Sequence, residues 1–205
     1  MVRKADLPKH IVQTALDLAV SRGWYNTSLA DIAAAAKVPL AQLHAIYPSK
    51  GAIVAAFSKQ IDEQVLAAVA EEEEAEGSPR DRLFDVLMQR FDALKPHKAT
   101  VEAILADAGR DPLATLRDLP RLMQSMARML EAAGINSSGY AGALQAKGLV
   151  YVYLSTLRVW LNDETPDMAR TMAALDKRLR YAERLAELFW PGPRAAPGET
   201  ASATG

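Results

Sequence analysis

Apolar residues recur along the chain at the three- and four-residue spacing of helices, and no stretch alternates in the manner of a half-buried strand. From Leu7 to Ser21, Ile11, Ala15, Leu18 and Ala19 share one face. Leu29, Ile32, Ala33 and Ala36 repeat the spacing after Thr27 and Ser28, either of which supplies a hydroxyl to cap a first turn. Lys37-Val38-Pro39 breaks the pattern, and Pro39 suits the first turn of a new helix, where its missing N–H is not needed. That helix carries Leu43, Ile46 and Tyr47 inward and leaves Leu40, Ala41, Gln42 and Ala45 outside. Tyr47-Pro48-Ser49-Lys50-Gly51 ends it, and a further helix is predicted from Ala52 to Ala75, with Glu71 to Glu74 forming a solvated end. Two short helices crossing at a small turn predict a helix-turn-helix, whose second helix fits the DNA major groove.

Gly77-Ser78-Pro79 interrupts the chain. Beyond it, Asp81 to Leu94 places Leu83, Val86, Leu87, Arg90, Phe91 and Leu94 on one face. A short helix from His97 to Ala108 follows Pro96. A segment from Asp111-Pro112, kinked at Pro120, runs through Met123, Met126, Met129 and Leu130 to Gly134. Ser137-Ser138 is expected to cap a helix from Gly139 to Leu161. Thr165-Pro166 reads as an N-cap with Pro at the first helical position, and Asp167 suits the positive end of the helix dipole. The last helix ends by Trp190-Pro191, and the Gly-, Pro- and Ala-rich residues from Gly192 read as disordered. The expected fold is all-α, with a helix-turn-helix head over residues 1–57, a helical body over 58–190 and a tail over 191–205.

In the last helix, Met168, Met172, Leu175, Leu179, Ala182, Ala186 and Phe189 form a heptad seam, with a second row at Leu185 and Leu188. The helix before it, with Leu149, Val152, Leu154, Leu157 and Trp160, is also apolar on more than one face. Helices apolar nearly all round pack inside something larger, here an isologous homodimer. Leu149, Val152, Leu175, Leu179, Leu185 and Phe189 are its expected interface. Met88, Phe91, Met123, Met126, Tyr140, Leu144 and Tyr151 are adaptable side chains suited to an apolar ligand pocket, and equally to an ordinary core.

The N-terminal motifs resemble the DNA-binding half of TetR-type repressors. The resemblance rests on the first helix, Gly23 and Thr27, on Asp31-Ile32-Ala33, and on the aromatic-Pro-Ser-Lys ending Tyr47-Pro48-Ser49-Lys50. It implies a TetR-like fold, a palindromic double-stranded operator, dimerisation through the last two long helices, and control by a small apolar or amphipathic ligand. Where the resembled family has a turn Gly this chain has Lys37, which must become left-handed or change the turn. The residues left for DNA are Thr27, Gln42, His44, Tyr47 and Lys50, supported by Lys37, with Gln42 suited to adenine. A second resemblance, carried by residues 157–167 with Leu175 and Arg178, is to a ubiquinone-biosynthesis accessory family. Its members have a TetR-like fold and bind lipid without acting as repressors.

Composition narrows these readings. Residues 1–60 hold seven basic and three acidic side chains, and the remainder is acidic, so a basic head sits on an acidic body. Cys is absent, which removes disulfides and thiolate sites and suits a cytoplasmic protein. No apolar run is long enough to span a bilayer, and the basic N-terminus lacks the apolar segment of a secretory signal. His10, His44 and His97 lie on different helices, so neither a metal site nor a catalytic constellation is expected, and no cofactor is implied. The leading expectation is a ligand-controlled repressor; the alternative is a lipid-binding accessory protein of quinone biosynthesis with a degenerate helix-turn-helix.

Overall fold

The computed structural model describes residues 6–71, 77–108, 110 and 112–189. The head comprises α1 (Leu7–Arg22), α2 (Leu29–Ala36) and α3 (Leu40–Ile46), and α4 (Lys50–Glu71) leads from it into the body. The body continues with α5 (Pro79–Leu94), a short 3-10 turn, α6 (Lys98–Ala108), α7 (Pro112–Ala132), α8 (Gly139–Leu161) and α9 (Ala169–Phe189). No strand occurs among the described residues. Residues 1–5, the end of the acidic run and the tail from 191 lie outside them.

Local chemistry sets some of the helix ends. Ser78 caps α5 in a reciprocal box with Asp81, and Pro79 occupies the first turn. The buried face of α5 is Leu83, Val86, Leu87, Arg90, Phe91 and Leu94, as the spacing predicts. Pro120 lies inside α7. Two expected caps differ. The Ser138 side chain makes no capping hydrogen bond to α8; instead Asn136 Oδ1 accepts from the Ser138 N–H at 2.8 Å and shapes the turn. Thr165-Pro166 does not open α9, which begins at Ala169 after Met168 adopts φ 55°.

The organiser of that turn is Asp163, whose buried carboxylate accepts from the N–H and hydroxyl of both Thr165 and Thr171 at 2.6–3.1 Å. Burial alone raises a carboxyl pKa, but these four donors outweigh it and hold Asp163 well below the usual range. The Asp163 carbonyl also accepts from Lys98 Nζ at 2.8 Å, which ties α6 to the α8–α9 turn.

The body closes around a second carboxylate. Asp62, midway along α4, is 1% exposed. It is paired with Arg90 of α5, with Arg128 Nη1 of α7 at 2.8 Å, and with Ser125 Oγ at 2.9 Å. Arg90 is itself buried, and its Nη2 donates to Ser58 Oγ at 3.0 Å. The guanidinium also lies 5.3 Å from the Tyr153 ring centroid. Burial works against its charge, but Tyr153 and Asp62 outweigh that and raise its pKa. Around this cluster the rings of Phe91, Tyr153 and Trp160 stack or tilt at 5.6 and 5.9 Å between centroids.

The two last helices use their apolar faces differently from the expected division. Leu149, Val152, Leu175 and Leu179, expected at a dimer interface, are buried within the single chain. Tyr140, Leu144 and Tyr151, expected in a ligand pocket, are exposed, Tyr140 to 81% and Tyr151 to 74%. Both helices carry apolar residues on more than one side, and spacing alone does not say which side meets the protomer's own core. Leu185 stays half exposed, as an interface residue requires, while the Phe189 side chain lies outside the described ones.

Arg90→Met leaves Asp62 buried beside one cation, so urea titration should show a loss of about 3–5 kcal/mol. Asp62→Leu combined with Arg90→Met should lose less than the sum of the single changes. Asp163 has a folded pKa below its unfolded value of 3.8, so its contribution is complete above that pH and drains away as pH falls further. Acid denaturation of Asp163→Asn should therefore show a shallower dependence below pH 3.8 than the parent.

Candidate nucleic-acid interface

The helix-turn-helix is built from short-range chemistry. Ser28 Oγ accepts from the Asp31 N–H at 3.1 Å, and Asp31 Oδ2 accepts from the Ser28 N–H at 2.9 Å. These bonds to Ser28 hold the Asp31 pKa down. Lys37 ends α2 in the left-handed conformation, φ 57° and ψ 42°, with its N–H turned back to Ala33 and Ala34. The chain therefore keeps the turn and accepts the strain of a side chain where glycine is easiest. Pro39 occupies the N-cap of α3, one residue before the expected position.

Leu43 anchors α3 to the head core, which includes Ile11, Ala15, Ile32 and Ile53. With that side fixed, Leu40, Ala41, Gln42, His44 and Ala45 face outward. Lys37 is exposed beside them.

The remaining sequence-selected residues serve the head's own structure. Thr27 is 1% exposed, and its hydroxyl donates to the Gly23 carbonyl at 2.9 Å. Tyr47 is half-buried, its hydroxyl donates to the Pro8 carbonyl at 3.4 Å, and burial pushes its phenol pKa up. Lys50 Nζ donates to the Trp24 carbonyl and lies 4.7 Å from that ring's centroid. The resemblance leaves these three positions as DNA contacts. Their intramolecular partners, 4 to 39 residues away, were not visible in the spacing.

The head also meets the body at the start of α4. The Asp118 carboxylate of α7 lies so close to Gly51, in the first turn of α4, that a β-carbon there would collide with it. A negative charge at the start of α4 complements the helix dipole, and Arg121 pairs with the same carboxylate.

In the body, Phe91 and Met126 are fully buried and Met88 and Met123 are packed against the same core. They do not share a lining with the exposed Tyr140, Leu144 and Tyr151. An open groove of about 450 Å³ runs instead between α8 and α9, past Tyr151, Val159, Ala174, Tyr181 and Leu185. Among the described residues no three acidic or histidine side chains gather as a metal site, and no helix is long and apolar enough to cross a membrane.

An N-terminal helix-turn-helix carried by a long helix into an all-α body is the fold of the TetR-type regulators. Residues 11–57 match the family model described as bacterial regulatory proteins, tetR family, and residues 117–186 match the model described as COQ9. A TetR transcriptional regulator from Nitrosomonas europaea aligns with a TM-score of 0.65 at 22% identity, over 86% of this chain and 98% of its own. One from a Rhodococcus species gives 0.62 at 21% identity, over 86% and 98%. Thermus thermophilus FadR, a TetR-family repressor solved in complex with lauroyl-CoA, gives 0.54 at 20% identity, over 95% and 100%. No curated protein matches the chain significantly.

Lys37→Gly should relieve the left-handed strain and raise stability by roughly 0.5–1 kcal/mol in thermal or urea unfolding. The same change removes an exposed cation, so it should weaken binding to every duplex alike and make the salt dependence shallower.

Proposed function

We propose that this chain is a DNA-binding transcriptional regulator of the TetR type, acting as a homodimeric repressor on a palindromic operator in the cytoplasm. The observation that carries the reading is the outward face of α3, held by a capped α2 within the segment that matches the tetR family model. It is not an enzyme on this reading, and it needs no cofactor. Its effector is a small apolar or amphipathic molecule bound by the body; the lauroyl-CoA complex of the similar Thermus thermophilus repressor supports that class of ligand. The dimer uses the exposed side of α8 and α9, centred on Tyr151, Tyr181 and Leu185, since the buried leucines are already committed to the protomer. Gln42, His44 and Lys37 meet the DNA directly, while Thr27, Tyr47 and Lys50 position the motif.

One observation favours a second reading, a lipid-binding accessory role in quinone biosynthesis. The COQ9 match covers most of α7, all of α8 and most of α9. Commitment of Lys50 to Trp24 also leaves the recognition surface with few cations. The tetR match at the head and the outward α3 weigh more.

Titration of the full chain against the DNA upstream of its own gene separates the readings. A regulator should bind that region about a thousand-fold or more tighter than random duplex, and a medium-chain acyl ligand should change the affinity. Equal binding to both, with lipid retained in native mass spectrometry, would favour the accessory role. Tyr151→Glu with Leu185→Glu should give a folded monomer in sedimentation and lose operator affinity. Leu179→Glu should instead unfold the chain, because Leu179 is core.

A further inference from the structure

We propose that the half-site read by α3 is rich in A·T pairs and that α3 recognises it through thymine methyl groups as well as adenine edges. The inference rests on the DNA-binding reading above and names the bases that reading leaves open.

Between its bounds α3 is Leu-Ala-Gln-Leu-His-Ala-Ile, and Pro39 precedes it. It carries no Arg, Lys, Asp or Glu. In the major groove a guanine edge is best met by the fork of Arg or by Lys, and the cytosine amine by a carboxylate. Neither is present on the helix that faces outward. Lys50, the next cation along the chain, is bound to Trp24. Lys37 lies before α3, at the left-handed end of α2.

What α3 does present suits the other base pair. Leu40 is 41% exposed, and Ala41 and Ala45 are exposed beside it. Against a G·C edge these side chains would bury base donors and acceptors without giving them partners. Against a thymine methyl they bury carbon on carbon. Ala41 and Ala45 stand one turn apart, about 6 Å along the helix, comparable to two base steps of about 3.4 Å. Between them Gln42 is exposed and its amide makes no hydrogen bond among the described residues, so both amide atoms are available to adenine N6 and N7.

His44 is the polar group on this face that could instead take a guanine edge, so the test includes it. Full-length protein is used to select binders from a randomised duplex pool, and the enriched half-site is sequenced. The expected result is a half-site dominated by A·T pairs. Replacing each thymine there with deoxyuridine, which removes only the methyl, should lower affinity about four-fold at contacted positions. Gln42→Ala should lower affinity for the selected site between about five-fold and about a hundred-fold, with little change on random duplex. This series tests recognition on the unaltered protein as well, so a folding defect in a variant cannot mask the answer. A half-site dominated by G·C pairs, lost on His44→Ala or Lys37→Ala, would overturn the inference while leaving the DNA-binding reading intact. An A·T half-site indifferent to deoxyuridine would overturn methyl recognition. A pool that yields no enriched sequence would remove the DNA-binding reading, and the inference with it.

Discussion

A carboxylate shut away from water must be met by cations and donors held at fixed positions, and Asp62 imposes that demand on the whole body. It sits on α4, the helix that leads out of the head. Its partners come from α5 and α7, and Arg90 carries the contact on to Tyr153 of α8. Apolar faces tolerate a slip of neighbouring helices; a paired buried charge does not. The cluster therefore adds little net energy for its burial but fixes the register in which four helices pack. The stack of Phe91, Tyr153 and Trp160 fills the space around it.

Much of this architecture was legible before any coordinates. The buried face of α5, including Arg90, follows from spacing alone, because an amphipathic helix with one apolar stripe has one way to face a core. A hydroxyl cap at Thr27 or Ser28 was expected and the structure selects Ser28, while the left-handed Lys37 is one of the two outcomes that the resemblance left open. What failed to show were partnerships across the chain. Asp62 looks like a surface acid until Arg90, 28 residues on, and Arg128, 66 residues on, are folded against it. Lys50 looks like a phosphate contact until Trp24 is placed beneath it. On α8 and α9 the difficulty is different: two apolar sides compete, and burial of Leu149 and Leu179 with exposure of Tyr151 is settled only by packing. Asp163 does not stand out in the sequence, because Thr165 reads as a helix cap and its second donor, Thr171, lies eight residues on.

The two matched segments, 11–57 and 117–186, match differently described family models, yet they touch within one chain. Gly51 of the first meets Asp118 of the second. Ser125 and Arg128 of the second also reach Asp62, just beyond the end of the first. The head is thus joined to the α7 side of the body at two places along α4, one at its start and one near its middle.

Were α4 to tilt, the buried Asp62 cluster would serve as its fulcrum. Twelve residues separate Asp62 from Lys50, which is about 18 Å of helix. A tilt of roughly 6° about the fulcrum would carry the head end sideways by about 2 Å, more than half the rise of a base step. Asp118 sits at the far tip of that arm, where a small force has the greatest leverage against the swing. Because Gly51 has no side chain, the Asp118 carboxylate can rest directly on that end of the helix.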